Sequence, residues 1–227
     1  MQFDILTIFP DIFESYFKES IIKRAIKNKK INIIIHNFRN FATDKHKSVD
    51  DKPYGGGPGM LLKIEPLYKC LKSIKRLKSS KGGPASGGKS RIILLTPKGK
   101  KFDQKKAKSL TKYDQLILIA GRYEGYDARI KKYIDEEISI GDYVLTGGEL
   151  PAMTIIDATT RLLPGVLGDD QSSKDETFTK DEKYIEYPQY TRPENFNGQK
   201  VPKVLLSGNH NDILAWKTNN SRIRKKA

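Results

Sequence analysis

The chain has 227 residues, longer than one average domain and shorter than two, so one α/β domain with a smaller appendage fits its length. Lys plus Arg number 42 against 27 Asp plus Glu, a net charge of +15, which is the electrostatic footprint of a nucleic-acid binder unless it is merely a lysine-rich solvated surface. One cysteine excludes an internal disulfide, no stretch approaches the ~20 apolar residues of a membrane span, and basic residues scattered rather than lined on one helix face argue against a membrane-surface role.

The first run, "MQFDILTIFP", holds Asp4 inside its apolar stretch and lacks a basic leader, so it reads as a strand rather than a signal peptide, and a cytoplasmic protein is expected. Behind Pro10, Phe13, Phe17, Ile21 and Ala25 recur at four-residue spacing, which predicts a helix from Asp11 to Asn28. "INIIIHNF" is the next strand. "EPLYKCLKSIKRLK" is helical, with Cys70 a small buried hydrophobe in a reducing compartment. Residues 79 to 90, "SSKGGPASGGKS", read as a mobile loop. The strand "RIILLT", closed by Pro97, then leads to the helical "FDQKKAKSLTKY", the strands "QLILIA" and "EEISIG", and the helix "LPAMTIIDATTRLL". Short β-branched runs alternating with helices predict an α/β fold whose mostly parallel sheet has helices on both faces. Beyond Pro164 the strand signal ends: a polar stretch to about Lys200 holds Pro188 and Pro193, and a helical tail ends in "SRIRKKA". The expected organisation is a main domain over 1–163, a linker over 164–200 and a short helical module over 201–227.

"GPASGGKS", Gly83 to Ser90, satisfies the phosphate-loop pattern letter for letter. That mechanism needs a strand before the loop and a helix after it, so that helix and loop amides face the phosphates. Here a helix enters the loop and a strand leaves it, so the match is composition and not a nucleotide site. No G-x-G-x-x-G occurs, and His36, His46 and His210 have no zinc spacing.

In an open α/β sheet, ligands bind outside the carboxyl ends of the strands. Three such ends, "LLTPKG", "LIAGRYEG" and "ISIGDYVLTGGELP", are alike in breaking on glycine or proline. Glycine there lets main-chain groups approach a ligand closely, and the turns lack a phosphate-gripping cluster, so a phosphate-free nucleoside fits. Glu124, Asp142 and Glu149 favour a cationic ligand, such as a sulfonium attached to a nucleoside. Singly, each turn is ordinary turn chemistry. Their coincidence is the signal.

Six strings carry a resemblance: "VDDKPYGGGPGM" (49–60), "GRYEG" (121–125), "SIGDYVLTGGELPAM" (139–153), "RLLPGVLG" (161–168), "YTRPE" (190–194) and "VLLSGNH" (204–210). Together the chain resembles the bacterial tRNA (guanine-N1)-methyltransferase family, of the knotted SPOUT class. The resemblance implies a deep trefoil knot, a homodimer with active sites at the subunit interface, a tRNA partner and S-adenosylmethionine as methyl donor, with Mg²⁺ as an assisting ion. It implies that the donor is held in a bent form by Leu95 and Pro97, by Gly121, Tyr123 and Glu124, and by the backbone of Ile140, Gly141, Asp142, Tyr143, Val144 and Leu145 with Gly147, Gly148 and Pro151.

Methylation of guanine N1 at tRNA position 37, next to the anticodon, is the implied reaction. N1 carries a proton at neutral pH, so a base must remove it while a cation steadies the charge on O6. Arg161 matches the cation. The family's base is an aspartate in an Asp-Ser-Phe string, whereas this chain reads "KDETF", which aligns Glu176 with the base and puts Asp175 before it. Either acid can serve, with Glu176 favoured; loss of the base would instead leave a non-catalytic RNA-binding protein. By spacing alone Arg161 equally suits an i,i+4 pair with Asp157 at a helix end. His46 and Asp50 match positions near the target guanine, and the Gly-rich segment 43–60, which carries Lys45, Lys47 and Lys52, can admit a flipped nucleotide. Lys47 and Lys52 stand where the family usually has arginine, which keeps charge without the bidentate grip. The family's C-terminal module usually continues past the position of Arg224, so the expectation is that anticodon-stem contacts are missing or made by Lys217, Arg222, Arg224, Lys225 and Lys226.

Overall fold

The computed structural model describes residues 1–80, 88–168, 176–179, 181 and 183–224. Most of the 79–90 loop, as well as Asp175, Lys225 and Lys226, lies outside the described residues. In chain order the first part contains β1 (Gln2–Thr7), α1 (Glu14–Phe17), α2 (Ser20–Lys27), β2 (Asn32–Asn37), a short pair β3 (Asp50–Asp51) and β4 (Leu61–Leu62), and α3 (Ile64–Ser80). Then come β5 (Ser90–Lys101), α4 (Gln104–Leu110), β6 (Gln115–Ile119), β7 (Glu136–Ser139) and α5 (Glu149–Thr160). The five β-branched runs become one sheet of order β2-β1-β6-β5-β7, parallel at every junction.

Two-residue alternation divides each strand between two cores. Phe3, Ile5, Leu116, Leu118, Ile93, Leu95 and Ile138 meet Phe13, Phe17, Ile22 and Ala25, together with Ile155 and Ile156 of α5. On the other face Leu6, Ile117, Ile119, Ile92 and Leu94 meet Leu67, Cys70, Leu71 and Ile74 of α3. Helices therefore cover both faces, as the unbroken apolar runs of parallel strands require. Burial, helped by the nearby Asp4, pushes the Cys70 thiol up to about 12, so it stays a neutral core group. Asp4, itself buried, accepts hydrogen bonds from Gln2 Nε2 at 2.8 Å and from Gln115, with His36 Nε2 2.8 Å away.

Three expectations change. The helix predicted over 11–28 breaks into a 3-10 turn at Pro10–Phe13, then α1 and α2, with Ser20, the first residue of α2, at φ 49. The buried residues are Phe13, Phe17, Ile22 and Ala25 rather than Ile21, a slip of one position that the left-handed residue absorbs. Pro97 does not close its strand. The ladder jumps instead: Ile138 pairs with Leu95 and again with Lys100, so Thr96 to Gly99 leave the sheet and β5 resumes beyond them. Short strands also continue past Pro164, in the second part of the chain.

The chain divides into two compact units, Met1–Gly168 and Asp169–Ala227. The second contains β8 (Tyr184–Ile185), β9 (Asn195–Phe196), β10 (Gln199–Lys200), α6 (Lys203–Leu206), α7 (His210–Asn220) and β11 (Arg222–Ile223). β8 pairs antiparallel with β11, and β9 with β10. Asn197 and Gly198, at φ 50 and 85, make the second of these a tight hairpin. Asn209 caps α7 by accepting from the Asn211 amide at 3.1 Å, and Trp216 lies edge-on to Tyr187 and Tyr190, 6.4 and 6.2 Å away.

Candidate functional site

Strands β6, β5 and β7 are neighbours and parallel, so their carboxyl ends emerge along the same edge. The three turns anticipated from the sequence lie on that edge and enclose one cleft of about 630 Å³. Leu95, Pro97, Gly121, Tyr123, Glu124, Ile140, Gly141, Tyr143, Val144, Leu145, Gly147, Gly148 and Pro151 all line it. Asp142 does not: its side chain is 87% exposed and pairs with Lys101 Nζ at 2.9 Å. Thr96, Arg122, Tyr126 and Ser139 also line the cleft, and sequence reasoning had not singled them out as site residues.

The glycines act differently from the sequence expectation. A Cβ on Gly121 would lie 2.2 Å from the Tyr126 ring, one on Gly148 2.6 Å from the Ala120 Cα, and one on Gly147 2.3 Å from Arg122 Nε. What the absent side chains admit at these positions is neighbouring protein, so the turns close on one another before any ligand enters. Tyr126 completes the closure: its hydroxyl donates toward the carbonyls of Leu95 and Ile119, each 3.0 Å away, across the ends of β5 and β6. Burial, then the charge of Glu149, holds this phenol well above its usual range, so it stays a donor. Tyr126→Phe is expected to cost about 1 to 3 kcal/mol of stability through unsatisfied buried carbonyls, measurable by urea unfolding.

Glu149 opens α5 and is 2% exposed. Its Oε1 accepts from Thr7 Oγ1 at 2.8 Å, and its Oε2 lies 3.0 Å from Arg122 Nε. The Nε–H does not align with that oxygen, so this second contact is Coulombic rather than a formed hydrogen bond. The Arg122 guanidinium lies 4.7 Å over the Phe9 ring, Arg122 bridges to Gly147, and the Gly148 amide donates to the Gly121 carbonyl at 2.8 Å. These contacts clasp the second turn to the third and both to the end of β1. They also revise the electrostatic expectation, because Glu149 is neutralised by Arg122 and Asp142 is engaged by Lys101. Glu124 is the carboxylate of the three that lines the cleft without an ion pair among the described residues.

The segment expected to face substrate adjoins this cleft. β3 and β4 pair antiparallel, and the Pro53–Met60 loop between them is pinned to the second turn. The Glu124 amide donates to the Met60 carbonyl at 3.1 Å, and the Leu62 amide to the Gly125 carbonyl at 3.0 Å. Asp50 is half-buried in β3, and His46 is exposed in the loop before it. Arg161 is the C-cap of α5, half-buried, its amide donating to the Asp157 carbonyl at 3.1 Å. The Asp157 carboxylate receives the Tyr16 hydroxyl. Burial and this partner push the Tyr16 phenol up to about 12. Glu176 belongs to the second unit, half-buried, with its carbonyl accepting from the Thr179 amide at 3.1 Å. The phosphate-loop reading has no support: α3 precedes residues 81–87 and β5 follows them, the reverse of the order phosphate binding needs.

Parallel strands whose carboxyl ends enclose a cleft define an open α/β ligand-binding protein. The family model described as "tRNA (Guanine-1)-methyltransferase TrmD" matches residues 1–227, and the chain belongs to that family. It is 50% identical to a tRNA (guanine-N(1)-)-methyltransferase of Rhodopirellula baltica, over 99% of this chain and 90% of that protein. Proteins of the same name from Dictyoglomus turgidum and Geobacter sulfurreducens are 51% and 49% identical, each over 96% of this chain and over 83% and 84% of their own lengths. Among the described residues no helix is long and apolar enough to cross a membrane.

Proposed function

We propose that the chain is an S-adenosylmethionine-dependent enzyme that methylates guanine N1 at position 37 of tRNA, next to the anticodon. The observation that carries this reading is the convergence of three turns into one cleft beside the hairpin segment 50–62. The cleft fits the donor in kind: main-chain groups of turns two and three offer hydrogen bonds to an adenosine, and Glu124 offers the carboxylate that tolerates a sulfonium. When bound, S-adenosylmethionine supplies an electrophilic methyl group.

The remaining chemistry falls to side chains. Arg161 steadies the negative charge that builds on guanine O6 as N1 loses its proton. Glu176, or Asp175 before it, takes that proton. His46 and Asp50 hold the guanosine once it has left its stack. In this reading the acid comes from the neighbouring subunit of a homodimer, the chain carries the SPOUT trefoil knot, and residues 201–227 belong to a small tRNA-binding module that also takes in β8 and the Tyr187–Tyr190 segment of the stretch read as a 164–200 linker. Such an enzyme works in the cytoplasm. No group of three or more His, Cys, Asp or Glu side chains that could hold a metal occurs among the described residues; an assisting Mg²⁺ would be held by one or two carboxylates together with substrate oxygens.

The test uses donor labelled on its methyl group and tRNA carrying guanosine at the target position. Wild-type protein is expected to place the label on N1. Donor and tRNA binding without transfer would instead favour the non-catalytic RNA-binding reading. Glu176→Gln is expected to slow turnover about 100-fold, and more than Asp175→Asn does; the reverse ranking moves the base by one residue.

A further inference from the structure

Tyr54 is 101% exposed, so its ring contributes no burial to the fold. The loop around it is nonetheless built rather than slack. The Gly56 amide donates to the Pro53 carbonyl at 3.2 Å, closing a turn with Tyr54 at its corner, and Gly55 follows at φ 88, the left-handed geometry that the third position of a type II turn demands. Gly56, Gly57 and Gly59 continue at φ 79, 115 and 81. A Cβ on Gly55, Gly56 or Gly57 would meet nothing within 4 Å. Crowding therefore does not require glycine there; the backbone path does, and that path holds an aromatic ring off the surface.

Downstream the loop is tied to the cleft. Met60 and Leu62 bond to the turn at Glu124 and Gly125, and a Cβ on Gly59 would lie 2.5 Å from Glu124 Cγ. Charges of both signs surround the loop: Lys45, Lys47 and Lys52 lie on the same stretch as Asp44, Asp50 and Asp51, with Asp51 paired to Lys63 and Asp127 to Arg129. Asp127 first, and the nearby Tyr54 in smaller part, hold the Arg129 guanidinium above its ordinary range. A flat ring in water, near the Arg129 guanidinium and on a loop tied to the turn that lines the cleft, offers the π-face by which unstacked bases are held.

We propose that Tyr54 is a stacking platform for a nucleobase of the tRNA anticodon loop adjoining the target guanosine. The proposal rests on the functional reading above. It is tested by tRNA affinity, measured separately from methyl transfer, for wild type, Tyr54→Ala, Tyr54→Phe and Tyr54→Trp, with unmodified tRNA and with tRNAs abasic in turn at each position flanking the target. Stacking predicts that Tyr54→Ala weakens tRNA binding about tenfold, that Phe and Trp restore it to within about twofold because any π-face serves, and that donor affinity and Tm do not move. It further predicts one abasic position whose loss is absorbed in Tyr54→Ala, the two defects failing to add. Unchanged tRNA affinity in Tyr54→Ala overturns the proposal, as does additivity at every position. A shift in oligomeric mass by light scattering with tRNA affinity intact also overturns it, and gives the ring to a protein interface. If wild type binds tRNA in this Tyr54-dependent way yet transfers no methyl, the platform stands and the enzymatic reading alone falls.

Discussion

Arg161→Ala is expected, on the proposed reading, to lower kcat for methyl transfer about 100- to 1000-fold while leaving the affinity for S-adenosylmethionine within about twofold, because in that reading the guanidinium acts on charge that develops only in the transition state. Arg161 is the C-cap of α5, whose N-cap Gly148 and first-turn Pro151 line the cleft, so the residue sits at the far end of a helix that begins at the cleft. A purely structural Arg161 predicts something else. A cation at a helix C-terminus contributes about 0.3 to 1 kcal/mol, so its loss would lower Tm by a few degrees and leave kcat nearly intact. Single-turnover methyl transfer with saturating donor and tRNA, together with thermal unfolding of the same samples, separates the two. Arg161→Lys sharpens the result, since it keeps the charge at the helix end and removes the planar fork. A lysine variant with normal Tm and low kcat places the effect in the chemistry.

Glu149→Ala is expected to be the most destabilising single change around the cleft, at about 3 to 5 kcal/mol, because it strands the largely buried Arg122 without its counter-charge. It also removes the acceptor of the Thr7 hydroxyl. The clasp joins the second and third turns, so donor affinity measured by calorimetry should fall along with stability in urea. Glu149→Gln keeps an oxygen for Thr7 and should be milder. Removing both charges, in Arg122→Met with Glu149→Gln, should cost less than the sum of the separate losses, since neither ion is then left unpaired. Additive losses, with donor binding unaffected, would show that the pair does not hold the turns together.

Much of this architecture was readable in one dimension. The five strands were visible because parallel strands buried on both faces read as short uninterrupted apolar runs rich in β-branched residues, as "RIILLT" and "QLILIA" do. The three turns that enclose the cleft were visible because glycine and proline mark the places where a strand ends or leaves its ladder. Gly147 illustrates the limit: the letter was correctly noticed, but its neighbour is Arg122, reached only when β6 and β7 are folded onto one edge. Glu149 was read as an open carboxylate for the same reason. Its partners Thr7 and Arg122 are distant in sequence, and no local pattern encodes such a pairing. The break before α2 was not legible: Ser20 takes a left-handed φ of 49, and Ile22 rather than Ile21 is buried beyond it. The hairpin at Asn197 and Gly198 was missed, although Asn-Gly is itself a turn signal, because strands of two residues offer too little alternation to draw attention.

Element type, sheet class and the chemistry available at each turn follow from the order of side chains, because periodicity, β-branching and backbone freedom are local properties of the chain. Which turns meet, which charges cancel and which ring is left in water follow from packing, because these depend on strand order and on contacts between residues far apart in sequence. Local physics thus selected the parts from which the cleft is made, and the burial of one ion pair beneath two glycine turns settled how they close.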